Sequence, residues 1–281
     1  MSDLNVKDIL ISKGFHYNKA LGQNFITDVN LLSAIVSDSG VDSGDTVVEI
    51  GTGAGTLTRA IAAKAKKVFS FELDKNLISV LDLSLKGLDN VEVIFKDVLK
   101  MTDGELKEIV GGEFKVVANL PYYVTTPMIM RFLESGLDVK SITVMVQKEV
   151  ADRFIATVGS KEYAAVSLAV QMRGEARVTR IVGRQMFFPM PNVDSAVVKI
   201  DVDKNKLHGV DLSALSRLVR ISFAMRRKML TNNLMSGYGV SREKAIEILE
   251  SSDVLPTVRG EALSLDQYVK VLNVLKDFGT K

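Results

Sequence analysis

The chain has 281 residues, 47% of them hydrophobic, with a mean hydropathy of +0.16; that is enough to bury a sizeable core and excludes a disordered chain. There is no cysteine and only His16 and His208 as histidines, which excludes disulfides, thiolate catalysis and Cys-ligated metal, and argues against a multi-His site. Lys and Arg number 36 against 34 Asp and Glu, a net charge of +2, yet residues 203–281 hold 13 basic and 9 acidic side chains while residues 1–202 hold 23 and 25.

The N-terminus, MSDLNVKDIL, lacks a basic stretch followed by an apolar one, and no apolar run is long enough to span a membrane. The expectation is a soluble, cytoplasmic protein with no membrane contact. Residues 3–14 read as a short helix entering the polar stretch HYNKALGQNFITD. From residue 46, apolar β-branched runs alternate with helical stretches. The runs are Thr46–Ile50, Lys67–Phe71, Val91–Phe95, Lys115–Ala118 and Ile142–Val146; the helices are expected near 56–64, 75–86, 126–135 and 148–156. Such alternation predicts an α/β fold of the doubly wound, Rossmann-like kind, with a mostly parallel sheet. Tyr163–Met172 reads as a further helix. Ala176–Ile181 and Ser195–Val202 then read as strands with no helix between them, predicting an antiparallel hairpin at the sheet edge. Phe187–Asn192 (FFPMPN) has two prolines and is not a regular strand. After the polar linker 203–209, helices are expected near 211–224, 226–235, 241–250 and 264–277. The expected organisation is an N-terminal lid (1–45), an α/β domain (46–203) and a small all-α domain (210–281).

Three acceptor-rich features fall at successive strand ends. Gly51-Thr52-Gly53-Ala54-Gly55 follows the first strand. Its glycines allow close backbone approach and positive φ, and the next helix offers free N–H groups. It is neither the GxGxxG of dinucleotide folds nor a P-loop, and by itself it could be a plain tight turn. Glu72, at the second strand end, suits the hydroxyls of a ribose, or else is a solvated acid near a helix start, where Asp74 is the better cap. Asp97, at the third, suits an exocyclic adenine amine, or else is a turn residue. Together they describe an adenosine-binding pocket. The missing phosphate grips favour S-adenosylmethionine over a dinucleotide. At the fourth strand end stands Asn119-Leu120-Pro121-Tyr122. An amide oxygen and a strand-end carbonyl can both accept from one planar NH₂, while tyrosine offers a stacking face.

This set resembles the class I methyltransferases that act on adenine N6. Leu21–Phe25 (LGQNF) and Phe188–Val198 (FPMPNVDSAVV) resemble signatures of the ribosomal RNA adenine dimethyltransferase family. Val146–Arg153 and Phe223–Leu234 (FAMRRKMLTNNL) resemble its small-subunit branch, and the resemblance spans about 17–278. It implies dimethylation of two adjacent adenosines in a hairpin loop near the 3′ end of small-subunit rRNA, within a pre-30S-like particle, by a monomer that uses S-adenosylmethionine and no metal. By motif, it implies that Asn24 and Ile26 contact the cofactor from the lid and that Gly51, in the loop with Gly53, lies against its methionine portion. Glu72 would hold the ribose and Asp97 the adenine. Asn119 would stand beside methyl donor and target amine, with Leu120, Pro121 and Tyr122 around the base. Phe188 is the candidate for the opposite face of that base, or else packs in the core. The sequence departs from the commoner pattern at Tyr123, where many members have Asn, and at Thr52, where many have Pro.

Between Ser213 and Thr231 there are five basic residues and no acid: Arg217, Arg220, Arg226, Arg227 and Lys228. Arg217 and Arg220 share a helix face, and Arg226–Lys228 are expected near a helix start, where cations oppose the dipole. RNA phosphate is the partner this suits, with Lys7, Lys13 and Lys19 extending the surface; a solvated face or internal ion pairs is the plainer alternative. Two other functions compete: methylation of a large-subunit adenine, and an RNA-binding assembly factor without catalysis.

Overall fold

A computed structural model describes residues 9–10, 24–26 and 28–279. The expected helix over 3–14 (Ile9 and Leu10 apart), Leu21–Gln23, His16 and the lysines 7, 13 and 19 lie outside the described residues. The chain divides into two compact units, Met1–Ala151 with Ala176–Val202, and Asp152–Glu175 with Asp203–Lys281. The division is not the contiguous one expected, since residues 152–175 cluster with the helical tail.

The first unit opens with β1 (Phe25–Ile26) and α1 (Val29–Ser39). α1 starts at Asp28, whose carboxylate accepts the Leu31 N–H at 2.8 Å, and ends at Gly40 in the left-handed region. Then come β2 (Thr46–Ile50), α2 (Thr56–Ala62), β3 (Lys67–Phe71), α3 (Ile78–Ser84), β4 (Val91–Ile94) and α4 (Asp103–Val110). β5 (Phe114–Asn119), α5 (Thr125–Leu133) and β6 (Val139–Gln147) complete the alternation. α4 was not expected. Only Leu106 and Val110 of it are buried, and a capping box between Thr102 and Glu105 holds its start.

Among the described residues, seven strands form one sheet in the order β4-β3-β2-β5-β6-β9-β7, with β7 (Gly174–Val182) at one edge and β9 (Ser195–Val202) inside it. β2 to β6 are parallel, as the apolar strands required; β9 runs antiparallel to β6, and β7 lies beside β9 at the edge expected for the hairpin. β2 pairs with β3 on one side and β5 on the other, so the strand order reverses there, and ligands of open α/β sheets collect at that switch point. Val47, Val68, Val117, Met145 and Val197, one from each of five strands, pack under Leu32, Ile35 and Val36 of α1. Phe187–Phe188, expected outside any strand, form β8 and pair antiparallel with β1; Pro189 and Pro191 lie just beyond.

After α6 (Lys148–Phe154), the second unit holds α7 (Ala165–Gln171), α8 (Leu212–Ala224), α9 (Leu230–Tyr238), α10 (Arg242–Ser251) and α11 (Leu265–Asp277). Its core joins Leu215, Leu218, Leu234, Ile248 and Leu272 to Tyr163, Leu168 and Met172. That is why 152–175 belongs here: those three side chains bury into this core. Tyr163 and Tyr268 are buried with their hydroxyls donating to the Leu263 and Gly260 carbonyls, and burial pushes both phenols up.

Candidate active site

At the carboxyl ends of β2 to β5 the first unit encloses a cavity of about 230 Å³. Asn24, Ile26, Gly51, Gly53, Glu72 and Asp97 all line it, and so do Asn119, Leu120, Pro121 and Tyr122. Residues spread over about a hundred positions thus line one cavity, those of the strand ends together with two that only the resemblance pointed to.

The glycine loop is held from β3. The Gly51 N–H donates to the Phe71 carbonyl at 2.8 Å, and Gly51 and Gly53 take φ of +80° and +55°. A Cβ on Gly53 would stand 3.1 Å from the Phe25 ring, so a side chain there would press on that ring as well as strain the positive φ. The Gly53 N–H donates to Oε2 of Glu72 at 2.8 Å, and the Leu73 and Asp74 N–H groups donate to Oε1 at 2.7 and 2.9 Å. A carboxylate has about four acceptor positions. Three are taken by main chain, which fixes the carboxylate and leaves about one for a ligand. Asp97 caps the turn Val98–Lys100 through Oδ1, which accepts the Leu99 N–H at 3.0 Å, while Lys100 approaches Oδ2 at 3.8 Å. Asp97 is thus a turn residue that also lines the cavity.

Beneath the loop lies a buried network that sequence reasoning missed. Glu49 of β2 is fully buried, and its Oε2 accepts from the Thr58 and Ser70 hydroxyls at 2.6 Å each. Thr52 Oγ1 lies 2.6 Å from the Ser70 hydroxyl oxygen and extends the network, either hydroxyl being able to donate. The second Glu49 oxygen has no partner among the described residues, and an ionised oxygen there would be costly. Burial, opposed by the two hydroxyls and helped by Glu72, pushes the Glu49 carboxyl up to about 8. Thr52, noted in the sequence only as a departure from Pro, is thus tied to the sheet by hydrogen bonds. The available signal was Glu49 and Ser70 on neighbouring β-runs.

The amide of Asn119 is oriented by the residue before β1: its Nδ2 donates to the Asn24 main-chain carbonyl at 2.9 Å, leaving Oδ1 as an acceptor. Tyr122 is half-buried and its hydroxyl is 2.9 Å from that of Ser195, at the start of β9; burial raises this phenol and the Ser195 hydrogen bond opposes the rise. Ser195 appeared in the sequence only as part of a signature. Phe188 does not line the cavity. It lies on β8 opposite Phe25, whose ring does, and is 38% exposed.

The donor set fits the expected cofactor. Carboxylates at two strand ends and a glycine loop without arginine suit a cationic ligand bearing hydroxyl and amine groups, not a polyphosphate. Among the described residues there is no cluster of His, Asp and Glu able to hold a metal ion, and no helix long and apolar enough to cross a membrane.

The basic residues of the helical unit behave differently from one another. Arg217 lies over the Tyr238 ring, 5.0 Å from its centroid, and Arg226 pairs with Glu261 at 3.3 Å and donates to the Tyr163 carbonyl at 3.4 Å. Arg220, Arg227 and Lys228 are exposed. Arg226–Lys228 lie just before a helix start, not inside the helix expected from 226. They occupy the turn between the end of α8 at Ala224 and the start of α9 at Leu230, so they also follow a helix C-terminus, where cations are favoured.

Residues 14–277 match the family described as ribosomal RNA adenine dimethylase. Among curated proteins, the ribosomal RNA small subunit methyltransferase A of Bacillus pumilus is 45% identical over 280 residues, covering 97% of this chain and 96% of its own. That of Clostridioides difficile is 42% identical over 275 residues, covering 96% and 94%. Among solved structures, a dimethyladenosine transferase from Plasmodium falciparum aligns with a TM-score of 0.78 at 25% identity, over 91% of this chain and 98% of that one. The 23S rRNA methyltransferase ErmE shares the fold, with a TM-score of 0.69 at 24% identity over 90% and 99%. The chain belongs to the ribosomal RNA adenine dimethylase family, enzymes that methylate adenine in ribosomal RNA with S-adenosylmethionine as donor.

Proposed function

We propose that this chain transfers two methyl groups to N6 of each of two adjacent adenosines in a hairpin loop near the 3′ end of small-subunit rRNA. It would act as a cytoplasmic monomer on a pre-30S-like particle. The observation that carries the site is the Asn119 amide, pinned at its donor end and turned so that its oxygen accepts, beside Glu72 and Asp97 in one cavity.

Glu72 would hold the cofactor ribose, Asp97 its adenine, Asn24, Ile26, Gly51 and Gly53 the remainder. The bound cofactor supplies an electrophilic methyl on a sulfonium sulfur and leaves as S-adenosylhomocysteine. The adenine N6 lone pair is delocalised into the ring, which makes the amine a poor nucleophile. In the first transfer Asn119 Oδ1 and the Leu120 carbonyl accept from the two N6–H groups; in the second the monomethylated amine keeps one N–H for one of them. As the N–C bond forms and the methyl–sulfur bond breaks, with its electron pair going to sulfur, positive charge grows on N6 and both acceptors strengthen. The N6 proton is lost only after that bond has formed, so no strong base is needed. Pro121 fixes the turn. Tyr122, held by Ser195, would stack on the extruded base, and extrusion from a loop costs less than from a duplex. Phe188, on β8 opposite the Phe25 that lines the cavity, is the candidate for the other face. Arg217, Arg220, Arg226, Arg227 and Lys228 would face RNA phosphate.

Labelled methyl transfer to immature small subunits, mature small subunits and large-subunit rRNA tests the reading. Label in the small-subunit hairpin is expected. Label confined to large-subunit rRNA would sink it.

A further inference from the structure

A primary amide has two ends of opposite hydrogen-bonding sense. Which one faces the cavity at Asn119 is settled by a group 95 residues away: Nδ2 donates to the main-chain carbonyl of Asn24. That carbonyl immediately precedes β1, whose Phe25 and Ile26 pair with Phe188 and Phe187 and are 6% and 2% exposed. With the amide reversed, Oδ1 would face the Asn24 oxygen, lone pair against lone pair. The NH₂ would then face the amine of the base, donor against donor. Both contacts fail together, so the carbonyl discriminates strongly between the two orientations.

We propose that the Asn24 carbonyl is a positioning group for methyl transfer: it selects the acceptor end of Asn119, so that docking of β1 onto β8 determines whether the fourth strand end is competent. The proposal rests on Asn119 as the N6 acceptor and adds what orients it. No residue of the Asn119 turn need change for competence to be lost; displacing β1 suffices.

Asn119→Asp separates acceptor from donor. Ionised, the new side chain keeps acceptors but has no proton for the Asn24 carbonyl. Protonated, it donates to that carbonyl and retains an acceptor oxygen, as the amide does. Single-turnover transfer is measured from pH 5.5 to 8.5 with the full-length variant, S-adenosylmethionine and small-subunit particles, each rate divided by that of the unmodified enzyme at the same pH. The division removes the titration of Glu72, Lys96, Asp97, Tyr122 and Tyr123, the other ionisable groups lining the cavity. The ratio should rise at least about ten-fold towards low pH. A flat ratio overturns the proposal, whether near unity (the donor is dispensable) or low throughout with cofactor binding intact (restoring the donor does not help). Undiminished transfer by Asn119→Ala would instead sink the acceptor role itself.

A measurement on the unmodified enzyme needs no variant to fold. The Asn119 Nδ2 proton bonded to Asn24 should exchange with solvent at least about ten-fold slower than the side-chain amide protons of exposed Asn205. Equal exchange overturns the proposal.

Discussion

The two units of this chain hold their polar groups in opposite ways. In the α/β unit the chemistry-bearing side chains are immobilised by main chain. Three amides fix Glu72, one amide donates to Asp97, and one carbonyl orients Asn119. In the helical unit Arg220, Arg227 and Lys228 stand in solvent on long flexible stems. A site that must tell an adenine amine from other groups needs acceptors at fixed angles. A surface that holds a polyanion needs charge but little angular precision. On the proposed reading one unit serves discrimination and the other retention, and substitutions should separate the two.

The largest effect is expected at Asn119. Asn119→Ala should lower the single-turnover rate at least about 100-fold, near 3 kcal/mol, the scale for removing one preorganised transition-state group. RNA and cofactor affinity should stay within a few-fold; a variant defective mainly in RNA binding would break the contrast. Next, Glu72→Ala should weaken cofactor binding by calorimetry about 30-fold or more, since about 2 kcal/mol follows when a charged acceptor is lost and its amides are left without it. In the helical unit, Arg220, Arg227 and Lys228 changed together to Ala should weaken RNA binding about ten-fold and lower the salt-dependence slope by about 2–3, with the rate on bound RNA unchanged.

A smaller effect concerns stability. Glu49 titrates near 8 in the folded state against an ordinary 4.5, so the folded chain keeps a proton the unfolded chain has lost. Its contribution is full below about 4.5 and is lost as pH rises to 8, with a slope of at most about 1.4 kcal/mol per pH unit. Glu49→Gln should flatten that slope in denaturant titrations at several pH values. The helical unit has no buried acid among its described residues, so the slope belongs to the α/β unit. Least of all, Arg226→Ala should change stability by under about 0.5 kcal/mol in thermal melts, because its pair with Glu261 is half exposed.

Much of this arrangement was legible in the sequence because strand ends are local. A β-branched run followed by an acid or glycine marks its own position, so Gly51, Glu72, Asp97 and Asn119 were found without knowing the register. What was missed depends on register or on distant contacts. Glu49 meets Ser70 because β2 and β3 pair in that register. Ser195 reaches Tyr122 across 73 positions. The helix expected from 226 starts at Leu230, whose N–H is taken by the Val258 carbonyl at 2.7 Å, a contact no periodicity encodes. α4 carried a readable sign, Thr102 three residues before Glu105, but its apolar face is two residues wide.

The interleaving of the units has a consequence for synthesis. Tyr163, Leu168 and Met172 leave the ribosome about a hundred residues before Leu263, Tyr268 and Leu272, with which they share a core. Between the two come Ala176–Val202, which complete the other unit's sheet. The α/β unit can therefore finish first while an apolar segment waits for its partners. A chimera cut at residue 203 would carry that segment without its core, whereas an exchange that includes residues 152–175 would transplant a complete one.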